Sequence, residues 1–387
     1  MKRTVLTALA LMIALSGIAM AQNPCDDAYI KAMQAKTAAE QAKLLKDFLD
    51  QCSGKGSQYE NYAHGYLFLA LIQTGKLDAQ TLAEGEKAAA LGGFDDGMKC
   101  QILTQLSALH AKDGQNLDKA KSFAAQLIQV ATAAKAKDAE NAAWTRFIGA
   151  GHFLTGQALE RAKDNAKAVE SYVTAYGILK DPKILFEMKR IARAQYAAKD
   201  YADAEKTLRA LVQANPKDTE SQAHIPQCLY KQGKTAEALA LWKDAFSKSK
   251  SADLAYNIGI TLAKEGPAVA NDAMRYLIDA ALLSSKHQNA IGMATKIYLS
   301  ANKDYNDLGK LQDDSKRLID DWAKQINTKF GNKSEDELTS DERREYRKVK
   351  ELIDKEQKTL DGLIAKQKAI VDGFDKIVAE EKAKLGR

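Results

Sequence analysis

Residues 201–214, YADAEKTLRALVQA, place Ala204, Leu208 and Leu211 at steps of four and three, with charged residues turned away from them. That spacing is one face of an amphipathic helix. The same steps recur at Ala168, Tyr172 and Ala175, at Ala238, Trp242 and Ala245, and at Ala273, Leu277 and Ala280. The leading alanines stand 36, 34 and 35 residues apart. Each follows a turn signal: Lys-Asp at 163–164 and 199–200, Gly233, and Gly266-Pro267. Looser copies begin at Ala120 and Ala83, and residues 25–52 supply a further pair of helices. A short helix before each leading alanine completes a two-helix unit, so the pattern predicts stacked helix hairpins.

A period near 34 with two helices per unit resembles the tetratricopeptide repeat family. The residues that carry the resemblance are a small residue in the first helix (Gly156, Ala192, Gly259), the Gly or Lys-Asp turn, the leading alanine, and a closing Pro216. Pro226 occupies the small-residue position of one copy, and the first-helix tryptophan of the family is absent from the repeats. The resemblance covers 58–285 and is closest over 149–285. It implies an all-α fold, a right-handed superhelical solenoid of antiparallel hairpins, and a protein that binds other proteins or peptides on its concave face. The family's concave positions, carried over by register, are Phe153, Gln157 and Arg161, then Lys189, Arg193 and Tyr196, then Gln227, Tyr230 and Lys231, then Tyr256 and Lys264. This is a mildly basic, aromatic wall, suited to a peptide whose carboxylates meet Arg and Lys. Taken one at a time, the same residues read more simply as solvated surface and packing tyrosines between repeats. Arg193 stands where some relatives place the asparagine of a clamp for acidic chain termini.

Beyond about 285 the alanine register is lost. Residues 286–333 read as capping helices, with Leu308, Leu311, Leu318, Trp322 and Ile326 at three- and four-residue steps. Ser334 with Glu337 and Thr339 with Glu342 are helix-starting pairs. Residues 334–387 then carry one long charged helix. Its apolar residues, Tyr346, Val349, Ile353, Leu360, Leu363, Ile370, Phe374 and Ile377, form a heptad seam broken at Glu356 and Gln367. A fold-back of the preceding helix covers about half of that seam. The rest packs along the solenoid or against a second copy, as a homo-oligomer through Tyr346–Ile377.

The chain of 387 residues is 45% apolar with five prolines, which favours helices. Residues 1–21 carry Lys2, Arg3, a short apolar core and Ala19-Met20-Ala21, the pattern of a cleaved export signal. The reading is therefore an exported, periplasmic or secreted protein with no membrane span after cleavage and an N-terminal capping hairpin at 22–57. Removing Lys2 and Arg3 lowers the net charge from +6 to +4, which does not suggest a nucleic-acid partner. Cys25 opens one helix (about 25–36) and Cys52 closes the next (about 38–51). An antiparallel pair brings them together as a disulfide worth roughly 3–4 kcal/mol in the chain-entropy model, the alternative being two separate thiols. Cys100 and Cys228 are expected as buried thiols.

No catalytic arrangement stands out. His64, His110, His152, His224 and His287 are scattered, none at the i, i+4 spacing of a metal pair, and HExxH, GxSxG and CxxC are missing. SGKGS at 53–57 lacks the upstream glycine of a phosphate loop and reads as a turn. The sequence thus leads to a non-catalytic interaction protein with no cofactor and no metal, with self-assembly through the C-terminal helices as the alternative.

Overall fold

The computed structural model describes residues 24–114 and 116–386, so the export signal read at 1–21 lies outside the described residues. Among the described residues there are seventeen α-helices and no strand. The chain divides into two units, 1–222 and 223–387. The first holds α1 (Pro24–Met33), α2 (Ala38–Cys52), α3 (Glu60–Gln73), α4 (Ala79–Leu91), α5 (Asp96–Asp113), α6 (Leu117–Lys137), α7 (Ala142–Arg161), α8 (Asn165–Leu179), α9 (Pro182–Ala197) and α10 (Tyr201–Ala214). It also holds the start of α11 (Thr219–Lys231). Within it, consecutive helices through α10 pack together. The first helices α3, α5 and α7 also touch in succession, as do the second helices α8 and α10. That is hairpin stacked on hairpin.

The turns inside the hairpins repeat as closely as the helices. Gly75, Lys163, Lys199 and Gly233 all take left-handed backbone, with φ of 79°, 65°, 65° and 81°. In each case the next amide reaches back to the carbonyl five residues earlier: Lys76 to Leu71, Asp164 to Leu159, Asp200 to Gln195 and Lys234 to Leu229, at 2.9–3.2 Å. This closes the first helix by satisfying its orphan carbonyls. A lysine in that conformation costs roughly 1 kcal/mol that glycine would not, so the packed hairpins must hold Lys163 and Lys199 there. The aspartate of each Lys-Asp pair then starts the second helix. Asp164 accepts from the Lys167 amide and Asp200 from the Asp203 amide.

Close approach explains the small residues. Ala168, Ala204, Ala238 and Ala273 are fully buried. A Cβ added at Gly156 would lie 2.6 Å from the Tyr172 ring, and one at Gly259 would lie 2.7 Å from Leu277. Each glycine therefore faces the bulky residue four positions after the leading alanine. Upstream, Ala120, Ala124 and Leu127 of α6 follow the expected steps. In α4 the register differs: Ala83 is exposed, and Thr81, Gly85 and Ala88 are the buried residues. Asp78 caps α4 by accepting from the Thr81 amide at 2.8 Å, so the helix starts with Thr81 turned inward.

At the N-terminus Cys25 and Cys52 are joined, with their Cα atoms 5.6 Å apart. They share a core with Tyr29, Leu45 and Phe48. Cys100 and Cys228 are buried.

The second unit continues α11 and adds α12 (Thr235–Ser249), α13 (Ala252–Glu265), α14 (Ala270–Leu283), α15 (Asn289–Ala301), α16 (Lys303–Phe330) and α17 (Ser340–Lys384). Helices α16 and α17 form a long antiparallel hairpin. Its connection is fixed by two capping boxes, Ser334 with Glu337 and Thr339 with Glu342. The α17 seam is the expected one, and its two polar breaks have partners. Glu356 accepts from the Ser315 hydroxyl at 2.6 Å, and the Gln367 carbonyl oxygen accepts from the Gln312 amide at 3.1 Å. On α16 the inward line differs from the one expected. Gln312 and Ser315 are buried and Leu308, Ile319, Trp322 and Ile326 partly so, while Leu311 and Leu318 point outward. A polar pair across a seam selects a register even where an apolar residue stands one position away.

The remainder of the α17 seam is filled within the chain. Phe374 is buried with its ring 5.4 Å from that of Tyr298 on α15. Glu381 is buried and ion-paired with Arg275 on α14, and Lys384 adds a second contact at 2.8 Å. The stretch Tyr346–Ile377 expected to meet a second copy therefore has α15 and α16 against it, and α14 meets the helix beyond it at Glu381.

Candidate partner-binding face

The expected face draws on the first helices α7, α9, α11 and α13. On α7, Phe153 is half-buried with its ring 5.6 Å from Tyr172, inside the hairpin. Gln157 is half-buried, and Arg161 is exposed at the helix end. On α9, Tyr196 is half-buried and meets Tyr201 edge-on at 5.1 Å. Both rings pack their own hairpin as much as they line a surface.

Lys189 and Arg193 are the basic pair of this face, and both already hold carboxylates from the start of α11. The Lys189 ammonium donates to Asp218 at 3.1 Å and to Glu220 at 2.8 Å. The Arg193 guanidinium donates to the other Glu220 oxygen at 2.9 Å. Burial works against the Lys189 charge, but Glu220 and Asp218 outweigh it and hold its pKa above the ordinary lysine value. Burial would likewise raise Asp218, yet Lys189 and the Ser221 amide and hydroxyl bring it below the usual carboxylate range. Glu220 is lowered by Lys189 first and Arg193 second. On the same helix, Arg190 bridges Glu187 and Glu160 of α7, and Glu160 also accepts from the buried Tyr172 hydroxyl at 3.0 Å. The face of the first unit is thus a charge-matched lattice, where the sequence pointed to a surplus of positive charge.

One residue of that lattice was not anticipated. Phe186 on α9 is 59% exposed, the most exposed large apolar side chain among the described residues. It stands four and seven residues before Arg190 and Arg193, so the three share one helix face. That spacing was readable in the sequence; the carboxylates of Asp218 and Glu220, which come from another hairpin, were not.

In the second unit, Gln227 bonds His224 at 3.0 Å and Lys231 is exposed. Tyr230 packs at 5.9 Å on Trp242, and its hydroxyl accepts from the Lys264 ammonium at 3.0 Å. Tyr256 stacks on His287 at 4.5 Å, and the same imidazole meets Asp253 at 2.5 Å. Asp253 is held below the usual carboxylate range by His287 first and Lys286 second. These contacts tie α13 to the turn after α14.

Among the described residues no nucleophile, base and orienting group converge in either unit. His64 and His110 are buried against Glu84 and Glu86, both on α4, and Lys119 joins Glu86 at 2.8 Å. The SGKGS segment is a turn in which Glu60 accepts from the Ser53 hydroxyl and the Gly54 amide. Among the described residues no group of three or more His, Cys, Asp or Glu is placed to hold a metal, and no helix is long and apolar enough to cross a membrane.

The bacterial transcriptional activator domain family matches residues 120–259, the segment that holds the most regular hairpins. The array is tetratricopeptide-like. A tetratricopeptide repeat protein from Parabacteroides merdae ATCC 43184 is similar at 13% identity and a TM-score of 0.32, over 70% of this chain and 98% of that one. The TPR2AB domain of yeast Sti1, solved as a pHSP90 complex, is similar at 14% identity and a TM-score of 0.31, over 72% and 98%. The apo form of RapI is similar at 14% identity and a TM-score of 0.35, over 87% and 89%. No curated protein sequence matches the chain.

Proposed function

We propose that this protein is an exported, non-catalytic scaffold that takes other proteins or peptides along the first helices of its hairpins. The observation that carries the reading is Phe186, an exposed aromatic ring set among the ion pairs of Arg190 and Arg193 on one helix face. A large apolar side chain offered to solvent inside a polar rim is how a binding anchor is built. The neighbouring carboxylates change the kind of partner from the acidic one suggested by sequence. Glu220 and Glu160 neutralise the arginines, so the surface suits a helical or extended segment with an apolar anchor and charges of both signs. Export rests on the leader pattern of residues 1–21.

Crosslinking in the native envelope, followed by purification of the tagged chain, tests this. A reproducible partner should be recovered, and Phe186→Ala should reduce its recovery about tenfold, the usual effect of truncating an interface anchor. Recovery that is indifferent to Phe186→Ala, Arg193→Glu and Tyr230→Ala together would remove the basis of the reading.

A further inference from the structure

The α16–α17 hairpin carries a second surface, separate from its filled seam. Gln325 and Lys329 of α16 line one open groove with Glu345, Lys348 and Val349 of α17. Gln325 and Glu345 are therefore on the same side of the hairpin. Steps of seven residues keep to one side of a heptad-patterned helix. Stepping back from Gln325 gives Leu318 and Leu311; stepping forward from Glu345 gives Leu352, Thr359 and Lys366. The three leucines are 45%, 50% and 45% exposed. They form an apolar stripe with nothing of this chain's seam in it.

The edges of the stripe differ in sign. Four residues before Leu311, Leu318 and Gln325 stand Asp307, Asp314 and Asp321. Three residues after Glu345 and Leu352 stand Lys348 and Lys355, and the next two steps of that edge are the uncharged Gly362 and Ala369. The aspartates have i, i+3 partners, Lys310 and Lys324 at 3.9 Å and Arg317, but such exposed pairs contribute little and are easily given up. The cross-seam contacts Gln312–Gln367, Ser315–Glu356 and Lys329–Glu345 fix the levels along the hairpin. By them Asp321 stands about level with Lys355.

A two-fold axis parallel to the helices exchanges left and right without changing level. It would bring Asp321 of one copy to Lys355 of another, and Lys355 to the other Asp321, with the leucine stripes between them. The opposite side of the hairpin also exposes Ile364 and Val371. There, however, the α17 edge reads Arg347, Asp354, Asp361 and Lys368, and the same pairing would set Asp320 level with Asp354 and Asp313 level with Asp361, opposing like charges.

We propose that the Leu311–Leu318–Leu352 side of the hairpin is the interface between two copies of this chain, paired in parallel as a four-helix assembly. The pairing is self-complementary, as a closed two-fold interface must be, and it is independent of what the hairpin array binds.

Sedimentation velocity of the whole mature chain, over roughly 1–100 μM, reads the outcome on the affinity scale of such interfaces. A reversible dimer is expected. Leu318→Glu combined with Leu352→Glu should leave only monomer. Asp321→Lys alone should weaken the dimer at least about tenfold, and adding Lys355→Asp should restore it, because the charges then match again. Ile364→Glu should change nothing. Monomer at every concentration overturns the proposal, as does a dimer that survives the paired leucine changes. So does loss of the dimer through Ile364→Glu, or a charge reversal that its partner reversal does not rescue. Far-ultraviolet circular dichroism checks that each variant keeps its helices. Should the leucine pair lose them, the charge reversal and its rescue decide alone.

Discussion

The repeat hairpins and the C-terminal hairpin solve the same problem, two helices lying side by side, by opposite means. In α7–α8 and α13–α14 a glycine of one helix receives a bulky residue of the other, and the turn between α7 and α8 is a fixed left-handed residue. Shape sets the register there, joined in α7–α8 by the Tyr172–Glu160 hydrogen bond. In α16–α17 the helices meet along a heptad seam, and hydrogen bonds at Ser315–Glu356 and Gln312–Gln367 set it. Shape keying suits short helices that are held from both sides by stacked neighbours. A pair of long helices with water along both flanks could slide by a heptad at small cost in apolar contact, so it needs a polar mark. The lesson is that local packing defines each repeat, whereas the terminal hairpin is defined by sparse long-range polar matches.

The largest effect that would sharpen this contrast lies where α17 reaches α14. Asp279 of α14 is buried, its Oδ1 has no hydrogen-bond partner, and burial first and the Glu381 charge second push its pKa up to about 6. A carboxyl group raised in the folded state favours folding fully below its unfolded value near 3.8. That contribution is lost as pH climbs through about 6. Stability of the α14–α17 contact should therefore fall by roughly 3 kcal/mol between about pH 3 and pH 7. Asp279→Asn should flatten that slope in urea unfolding followed at several pH values. An unchanged slope in the variant would mean that another group is responsible.

A smaller effect separates the two kinds of hairpin directly. Gly156→Ala places a methyl against the buried Tyr172 ring and should cost about 2–3 kcal/mol. Gly309→Ala in α16 meets only the Gln367 amide at 3.7 Å and should gain about 0.5–1 kcal/mol from helix propensity. Thermal unfolding of both variants checks the contrast, and equal shifts would erase it.

The smallest expected change is the most specific. Gln312→Leu with Gln367→Leu removes a polar pair from the seam and should raise stability by about 1 kcal/mol while loosening the register. Crosslinking of cysteines placed at exposed positions 318 and 352 would then give more than one spacing. A single spacing in that variant would show that Ser315 and Glu356 suffice.

Much of the repeat region was legible because its signal is local. Ala168, Tyr172 and Ala175 announce one buried face within eight residues, and Lys-Asp announces the turn that Lys163 and Asp164 make. The upstream copy was misplaced at Ala83 because a capping aspartate, Asp78, sets which residue of α4 turns inward. The α16 seam was misread at Leu311 and Leu318 because Gln312 and Ser315 look like surface until Gln367 and Glu356 stand opposite. On the candidate face, Lys189 and Arg193 were visible, but the carboxylates that neutralise them arrive about thirty residues later, from another hairpin.

The Cys25–Cys52 link has a practical corollary for how the molecule survives cleavage. A protease that nicks the short turn at 34–37, between α1 and α2, would not release a fragment. Both pieces would stay tethered until a reductant arrived, so damage at the amino end would be silent on a non-reducing gel and visible only after thiol treatment.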